Sequence, residues 1–237
     1  MSIVENNNTS YIDSLFTGLF YSNSIVNTKY LNSDQKNNKM LYLQEMIKYN
    51  FIELLRTNKS ILIENINNIR NYLLYHVDYS PLYDYGKEQN VFTLFDFLTM
   101  NLCDSFISLS LNITDTEDIT VNELLLKNYK KIKDIPNIVG IKFIRNYNNK
   151  ILKTKIDIKE KIRLDKKDGD LGNIKWNIHS LICMKDSSYY SIFLNNNKWY
   201  IFNNKFIPCI QPIDLSNKII SDKIKSEVMF AMYYYYY

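Results

Sequence analysis

Near Ser105 the spacing of apolar residues changes period, and no other feature of this 237-residue chain constrains its fold as strongly. Before that point apolar side chains recur in steps of three and four. Met40, Leu43, Ile47, Phe51, Leu54 and Leu55 form one such series. Leu62, Ile66, Ile69 and Leu73 form a second, and Val91, Leu94, Phe95, Leu98 and Leu102 a third. Each series lines one face of an α-helix, so the spacing predicts helices over residues 34–57, 60–75 and 91–102. After Ser105, the run Phe106–Asn112 largely alternates apolar and polar residues, as a half-buried strand does. Helices first and strands afterwards point to an α+β fold.

The strand-rich part can be read further. Pro136 introduces a strand running to Arg145. Short strands are predicted at 155–158 and 161–164, with a turn at 168–172. Residues 176–183, 189–194 and 199–202 then read as an antiparallel meander, with a loop at 184–188 and a turn at 195–197, and 206–210 continues it. Residues 219–226 read as a helix and 228–237 as a closing strand ending in five tyrosines. Thr120 and Glu123 have capping-box spacing ahead of a basic helix at 124–131. Residues 24–32 read as a polar connection, Ser33 as the cap of the next helix, and 78–89, with Pro81 and Gly86, as a loop.

At 46% hydrophobic residues the chain can bury one sizeable core or two joined lobes. The heavy use of Asn, Ile, Lys and Tyr suggests an AT-rich coding genome. Charge is uneven: residues 1–105 carry 8 Lys+Arg and 11 Asp+Glu, net −3, and residues 106–237 carry 21 and 14, net +7. The lysines of the basic half are interleaved with acids and accompanied by no aromatic RNA-binding signature, so a solvated surface is expected and nucleic acid is not. Cys103, Cys183 and Cys209 are far apart with no C-x-x-C pair, which argues against a disulfide framework and a zinc ribbon; no cofactor is implied. The opening MSIVENNNTS has neither a charged region nor an apolar one of the kind a signal peptide needs, and no apolar run is long enough to span a membrane. A cytoplasmic protein is expected, in a host cytoplasm or a virion if the source is viral.

Asn8–Phe16, N-T-S-Y-I-D-S-L-F, begins with polar residues, offers Thr9 or Ser10 as a helix cap, and continues with Tyr11, Leu15, Phe16, Leu19 and Phe20 on one helical face. This stretch resembles the cysteine box of the ubiquitin-specific proteases, with serine where the nucleophilic cysteine stands. Gln89–Leu98, Q-N-V-F-T-L-F-D-F-L, is spaced like that family's Q-D-A-x-E-F-L helix. Ile135–Arg145, I-P-N-I-V-G-I-K-F-I-R, resembles its L-P-x-x-L-x-I-x-L-x-R strand. The meander Ser188–Asn204, S-Y-Y-S-I-F-L-N-N-N-K-W-Y-I-F-N-N, followed by Val228–Tyr234, resembles its G-H-Y, W-Y-x-F-D-D and last-strand boxes. Four boxes occur in the family's order over almost the whole chain, closest to the small variants of large DNA viruses.

The resemblance implies a papain-like, thumb-and-palm fold without zinc fingers: a helical lobe at 1–104, a β lobe at 105–237, and a ubiquitin tail threading between them. It puts Ser10 at the nucleophile position, Tyr189 at the general-base position and Asn203 at the orienting position. The oxyanion donor falls on Glu5. That chemistry needs a base within hydrogen-bond reach of the nucleophile. A tyrosine phenol, with a pKa near ~10, is protonated at neutral pH. The histidines are His76, which reads as a helix-end residue, and His179, which a hairpin at 184–188 would leave ~13 Å from Tyr189. The expectation is therefore a catalytically inactive relative, a pseudo-deubiquitinase that binds ubiquitin, a ubiquitin-like protein or another protein. The rivals are an active deubiquitinase using Ser10 and a structural or nucleic-acid-binding protein.

Overall fold

A computed structural model describes residues 10–22, 25–32, 37–57, 59–77, 90–103, 105–113, 121, 135–147, 150–164 and 174–235. The chain is mixed α and β and divides into two compact units. The first comprises 1–104 with 185–213; the second comprises 105–184 with 214–237. The residues beyond 104 thus do not all fall in one unit, since 185–213 go with the helices.

The helices of the first unit are α1 (Ser10–Phe20), α2 (Ile25–Leu31), α3 (Asn38–Ile47), α4 (Glu53–Arg56), α5 (Ile63–Tyr75) and α6 (Val91–Leu102), with one π-helical turn, Lys48–Ile52, between α3 and α4. All eleven residues of α1 are buried. Phe16 meets Phe20 and Phe51 edge-on, with ring centroids 5.7 and 5.2 Å apart. Each such pair adds about 0.5–1.5 kcal/mol to what burial alone supplies.

Several helices begin away from their expected places. Residues 25–31, expected as a polar connection, form α2. Val26 and Tyr30, one turn apart, are both buried. Tyr30 packs edge-on against Phe20 at 5.8 Å, and its hydroxyl lies 3.0 Å from Thr99 Oγ1. The helix expected from residue 34 starts at Asn38, because Asn37 Oδ1 accepts the Lys39 N–H at 2.9 Å and caps it; Ser33 lies outside the described residues. Helix α5 starts at Ile63 and not at Ser60, because Leu62 is extended and its N–H donates to Asn65 Oδ1 at 3.0 Å.

In the second unit β1 (Phe106–Asn112) runs parallel to β2 (Ile138–Ile144), and β10 (Val228–Tyr235) is antiparallel to both β2 and β6 (Ile174–Lys185). Strand β5 (Lys161–Leu164) pairs antiparallel with β6, and β3 (Asn146–Tyr147) with β4 (Lys150–Ile151). Helix α7 (Lys218–Glu227) begins under a cap from Asn217. Arg145 is buried, donating from Nε to Val228 O at 2.6 Å, from Nη1 to Leu152 O and Thr154 O at 3.0 and 2.7 Å, and from Nη2 to Lys225 O at 2.7 Å. Trp176, also buried, donates from Nε1 to Pro136 O at 2.9 Å. The strand expected at 155–158 does not form: the Ile156 N–H donates to Lys225 O at the end of α7, so its partner is a helix terminus and not a strand.

Strands β7 (Ser188–Asn195), β8 (Lys198–Phe202) and β9 (Ile210–Pro212) return to the first unit as an antiparallel meander. The β7–β8 turn is Asn196–Asn197, with φ of 49° and 59°, a left-handed pair that asparagine tolerates better than most residues. Residues 206–210, expected to continue the meander, instead mostly form a turn that brings the chain round to β9. The Asn203 N–H donates to Cys209 O at 2.8 Å and closes it. The capping box at 120–123 with its helix, the loop at 78–89 and the turn at 168–172 fall wholly or largely outside the described residues.

Candidate functional site

Helix α1 packs against strand β7, and Ser10 lies at that seam. Ser10 opens the helix and is buried, at 7% exposure. Its Oγ accepts the backbone N–H of Tyr189 at 3.2 Å, a contact between residues 179 positions apart. Tyr189 comes just after the tight turn Asp186–Ser187, both of whose residues have left-handed φ, at 48° and 61°. Its side chain is buried. The structure thus brings two of the three expected site residues into contact, through the tyrosine backbone.

Asn203 follows the last residue of β8, and Phe202 before it pairs with Ser191, two residues beyond Tyr189. Asn203 Oδ1 accepts the Lys205 N–H at 2.9 Å, and its backbone carbonyl accepts the Phe206 N–H at 3.0 Å. Lys205 Nζ reaches Ser188 Oγ at 2.8 Å, tying the turn to the start of β7. The side-chain oxygen of Asn203 is therefore engaged in shaping its own turn.

Proton transfer from Ser10 needs an acceptor beside the hydroxyl; among the described residues the group hydrogen-bonded to it is an amide N–H, which only donates. His76 is the exposed cap of α5, stacked on Tyr72 at 5.0 Å. His179, buried in the second unit, meets the edge of Tyr234 at 5.9 Å. Glu5, at the expected oxyanion position, lies outside the described residues.

Several buried polar residues of the first unit were not singled out from the sequence. The side-chain oxygens of Ser14 and Thr17, four and seven residues after Ser10 on α1, are buried without a partner among the described residues. The same holds for Ser191 Oγ on β7 and for both polar atoms of the Asn204 carboxamide. A buried, unpaired polar group costs about 1–3 kcal/mol. The steps of four and three from Ser10 to Ser14 and Thr17 mark a polar stripe on a helix whose other positions are largely apolar. Just beyond the far end of α1, Tyr21 meets Phe193 and Tyr200 at a tilt, with ring centroids 4.7 and 6.1 Å away; burial first, and then Tyr200 and Cys209, push its phenol above the ordinary tyrosine range. Among the described residues no group of His, Cys, Asp or Glu is placed to hold a metal ion, and no helix is long and apolar enough to cross a membrane.

No protein-family model matches the sequence, and no curated protein matches it. Solved structures do match. A chain of the SAGA Ubp8/Sgf11/Sus1/Sgf73 DUB module aligns over 100% of this chain and 67% of its own length, with TM-score 0.63 and 12% identity. A yeast SAGA DUB module with a mutant Sgf73 aligns with TM-score 0.65 and 10% identity, over 100% of this chain and 68% of that one. The Saccharomyces cerevisiae PAN2 pseudoubiquitin-hydrolase-RNase module aligns with TM-score 0.66 and 9% identity, over 99% of this chain and 52% of that one.

The fold is ubiquitin-hydrolase-like. At 9–12% identity these likenesses concern the fold alone. Within the ubiquitin-hydrolase-like fold of this chain, the helix that begins at Ser10 and the strand that begins beside Tyr189 are joined by a direct hydrogen bond.

Proposed function

We propose that the chain is a catalytically inactive, ubiquitin-specific-protease-like protein that acts by binding ubiquitin, a ubiquitin-like protein or another protein. Ser10, Tyr189 and Asn203 take the positions of the family's nucleophile, base and orienting residue, within a thumb-and-palm layout. One observation carries the reading: the Oγ of Ser10 accepts an N–H from Tyr189, so the group beside the nucleophile position is a donor and not a base. A serine hydroxyl ionises far less readily than a thiol and depends on such a base more. The likeness to a pseudoubiquitin-hydrolase module supports the same reading at the level of fold.

Two measurements on the full chain test it. Incubation with a ubiquitin C-terminal fluorogenic substrate is expected to release no fluorophore above the uncatalysed rate. Turnover that disappears in Ser10→Ala would replace the proposal with an active serine-dependent deubiquitinase. Calorimetric titration with ubiquitin then separates a ubiquitin-binding role from binding to another protein. Heat of binding at micromolar ubiquitin identifies ubiquitin as the partner; its absence assigns the partner to the other protein class.

A further inference from the structure

The exposed face of the β5–β6 pair is a cationic stripe on a strand whose outer edge pairs with no strand among the described residues. The register sets Lys161 opposite Asn177, Ile162 opposite Trp176, Arg163 opposite Lys175 and Leu164 opposite Ile174. Ile162, Trp176 and Ile174 are buried, whereas Lys161, Arg163 and Lys175 are exposed. The three cations therefore share one face. Arg163 and Lys175 are directly opposed like charges, an arrangement that destabilises a strand pair unless an anion lies between them. Among the described residues none of the three makes an ion pair.

The hydrogen-bonding pattern adds an independent constraint. The Ile178 N–H donates to Glu160 O at 2.8 Å. In an antiparallel ladder bonded and non-bonded pairs alternate, so residues 160, 162 and 164 bond toward β6. The backbone N–H and C=O groups of Lys161 and Arg163 then point to the other edge of β5. That edge carries no strand among the described residues. A chain laid along it would meet the outward backbone groups of the same two residues whose side chains form the stripe. Its own side chains directly opposite would stand on the cationic face. A second copy of β5 is disfavoured there, since antiparallel self-pairing brings lysine and arginine together.

We infer that the open edge of Lys161–Leu164 takes up an extended acidic segment of a partner protein as an added strand, with Asp or Glu at alternate positions facing Lys161 and Arg163. Backbone hydrogen bonds supply part of the affinity, and the alternate carboxylates supply selectivity. A nucleic acid could use the cations but has no use for the open backbone edge, so the two observations together favour a peptide. This inference does not depend on the function proposed for Ser10 and Tyr189.

The test is fluorescence anisotropy of the full chain with a labelled peptide of alternating glutamate and valine. Binding is expected to weaken at least tenfold in Lys161→Gln/Arg163→Gln. It should also weaken at least tenfold when glutamine replaces glutamate in the peptide, or when N-methylation blocks the peptide backbone. The two substituted residues are exposed, and circular dichroism verifies that the variant stays folded. Undiminished binding by the double variant, or by the N-methylated peptide, would overturn the inference. So would the absence of binding at low salt, or tighter binding of a labelled single-stranded RNA at the same face. Binding that appears only after Asp165, Asp168 and Asp170 are replaced by asparagine would make this chain's own acidic residues the occupant, and would also overturn it.

Discussion

The backbone N–H of Tyr189 donates to the side-chain oxygen of Ser10 at 3.2 Å, joining the first turn of α1 to the start of β7. The contact is buried, and its donor is main chain, so it is insensitive to what side chain stands at position 189. Replacing Ser10 by alanine leaves that N–H without its acceptor. The expected result is a loss of about 1–3 kcal/mol in denaturant unfolding, with no change in hydrolysis of a ubiquitin C-terminal substrate. On the proposed function, Ser10→Cys alone is expected to hydrolyse no ubiquitin C-terminal substrate, because a thiol beside an amide donor has gained no base. A Ser10→Cys variant that turns over substrate would show that a base reaches the site.

Asn204 offers the opposite experiment. Both polar atoms of its carboxamide are buried without a partner among the described residues. Leucine has nearly the same shape and nothing to satisfy. Asn204→Leu is expected to raise the melting temperature, corresponding to about 1–2 kcal/mol. A fall in melting temperature would mean that the carboxamide is hydrogen-bonded in the folded protein.

Arg145 ties four carbonyl groups from β10, α7 and the segment at 152–154. Burial lowers its pKa to about 10, so it remains charged at neutral pH. Arg145→Ala removes the charge and strands those carbonyls together. A loss of about 3–5 kcal/mol is expected in chemical unfolding. A change below about 1 kcal/mol would mean that water replaces the guanidinium at little cost.

Stability should fall in alkali through Tyr233. Its phenol is buried and donates to Lys159 O at 3.0 Å; burial, assisted by Asp157, raises its pKa above the ordinary tyrosine range. Below pH ~10 both folded and unfolded chains keep this proton, so it gives no pH dependence. Above that pH the unfolded chain loses it first, and stability falls by about 1.4 kcal/mol per pH unit. Arg145 acts in the opposite sense, since its lowered pKa makes the folded chain release a proton first. The comparison is therefore between the native chain and Tyr233→Phe, which should be flatter between pH 10 and the folded-state pKa. Parallel pH profiles would refute the assignment.

Phe16 makes edge-on contacts with Phe20 and Phe51 in the first unit. Phe16→Ala is expected to destabilise by about 3–5 kcal/mol, read by chemical unfolding. A loss below about 1 kcal/mol would place the core of that unit elsewhere.

Much of the element order was legible in the sequence, because it rests on local periodicity. The apolar steps of Val91, Leu94, Phe95, Leu98 and Leu102 allow no other regular structure, and α6 spans the residues they mark. The alternation in Phe106–Asn112 likewise matched β1. Boundaries were less legible where a single polar side chain decides them, as Asn37 does for α3 and Asn65 for α5. Helix α2 was missed because seven residues carry too few apolar positions to show a period, and its reason for folding is the packing of Tyr30 on Phe20.

The sequence by itself determined most of the longer helices and strands, though not α2 or the course of residues 155–158 and 206–210, and it set the residue types at positions 10, 189 and 203. Both follow from side chains and their spacing along the chain. Tertiary structure alone decided that residues 185–213 belong with the helices and that Ser10 faces the main chain of Tyr189. It also decided that Ser14, Thr17, Ser191 and Asn204 bury side-chain polar atoms. Contacts between residues 179 positions apart leave no trace in local periodicity, since they are set by how a finished helix packs on a finished strand.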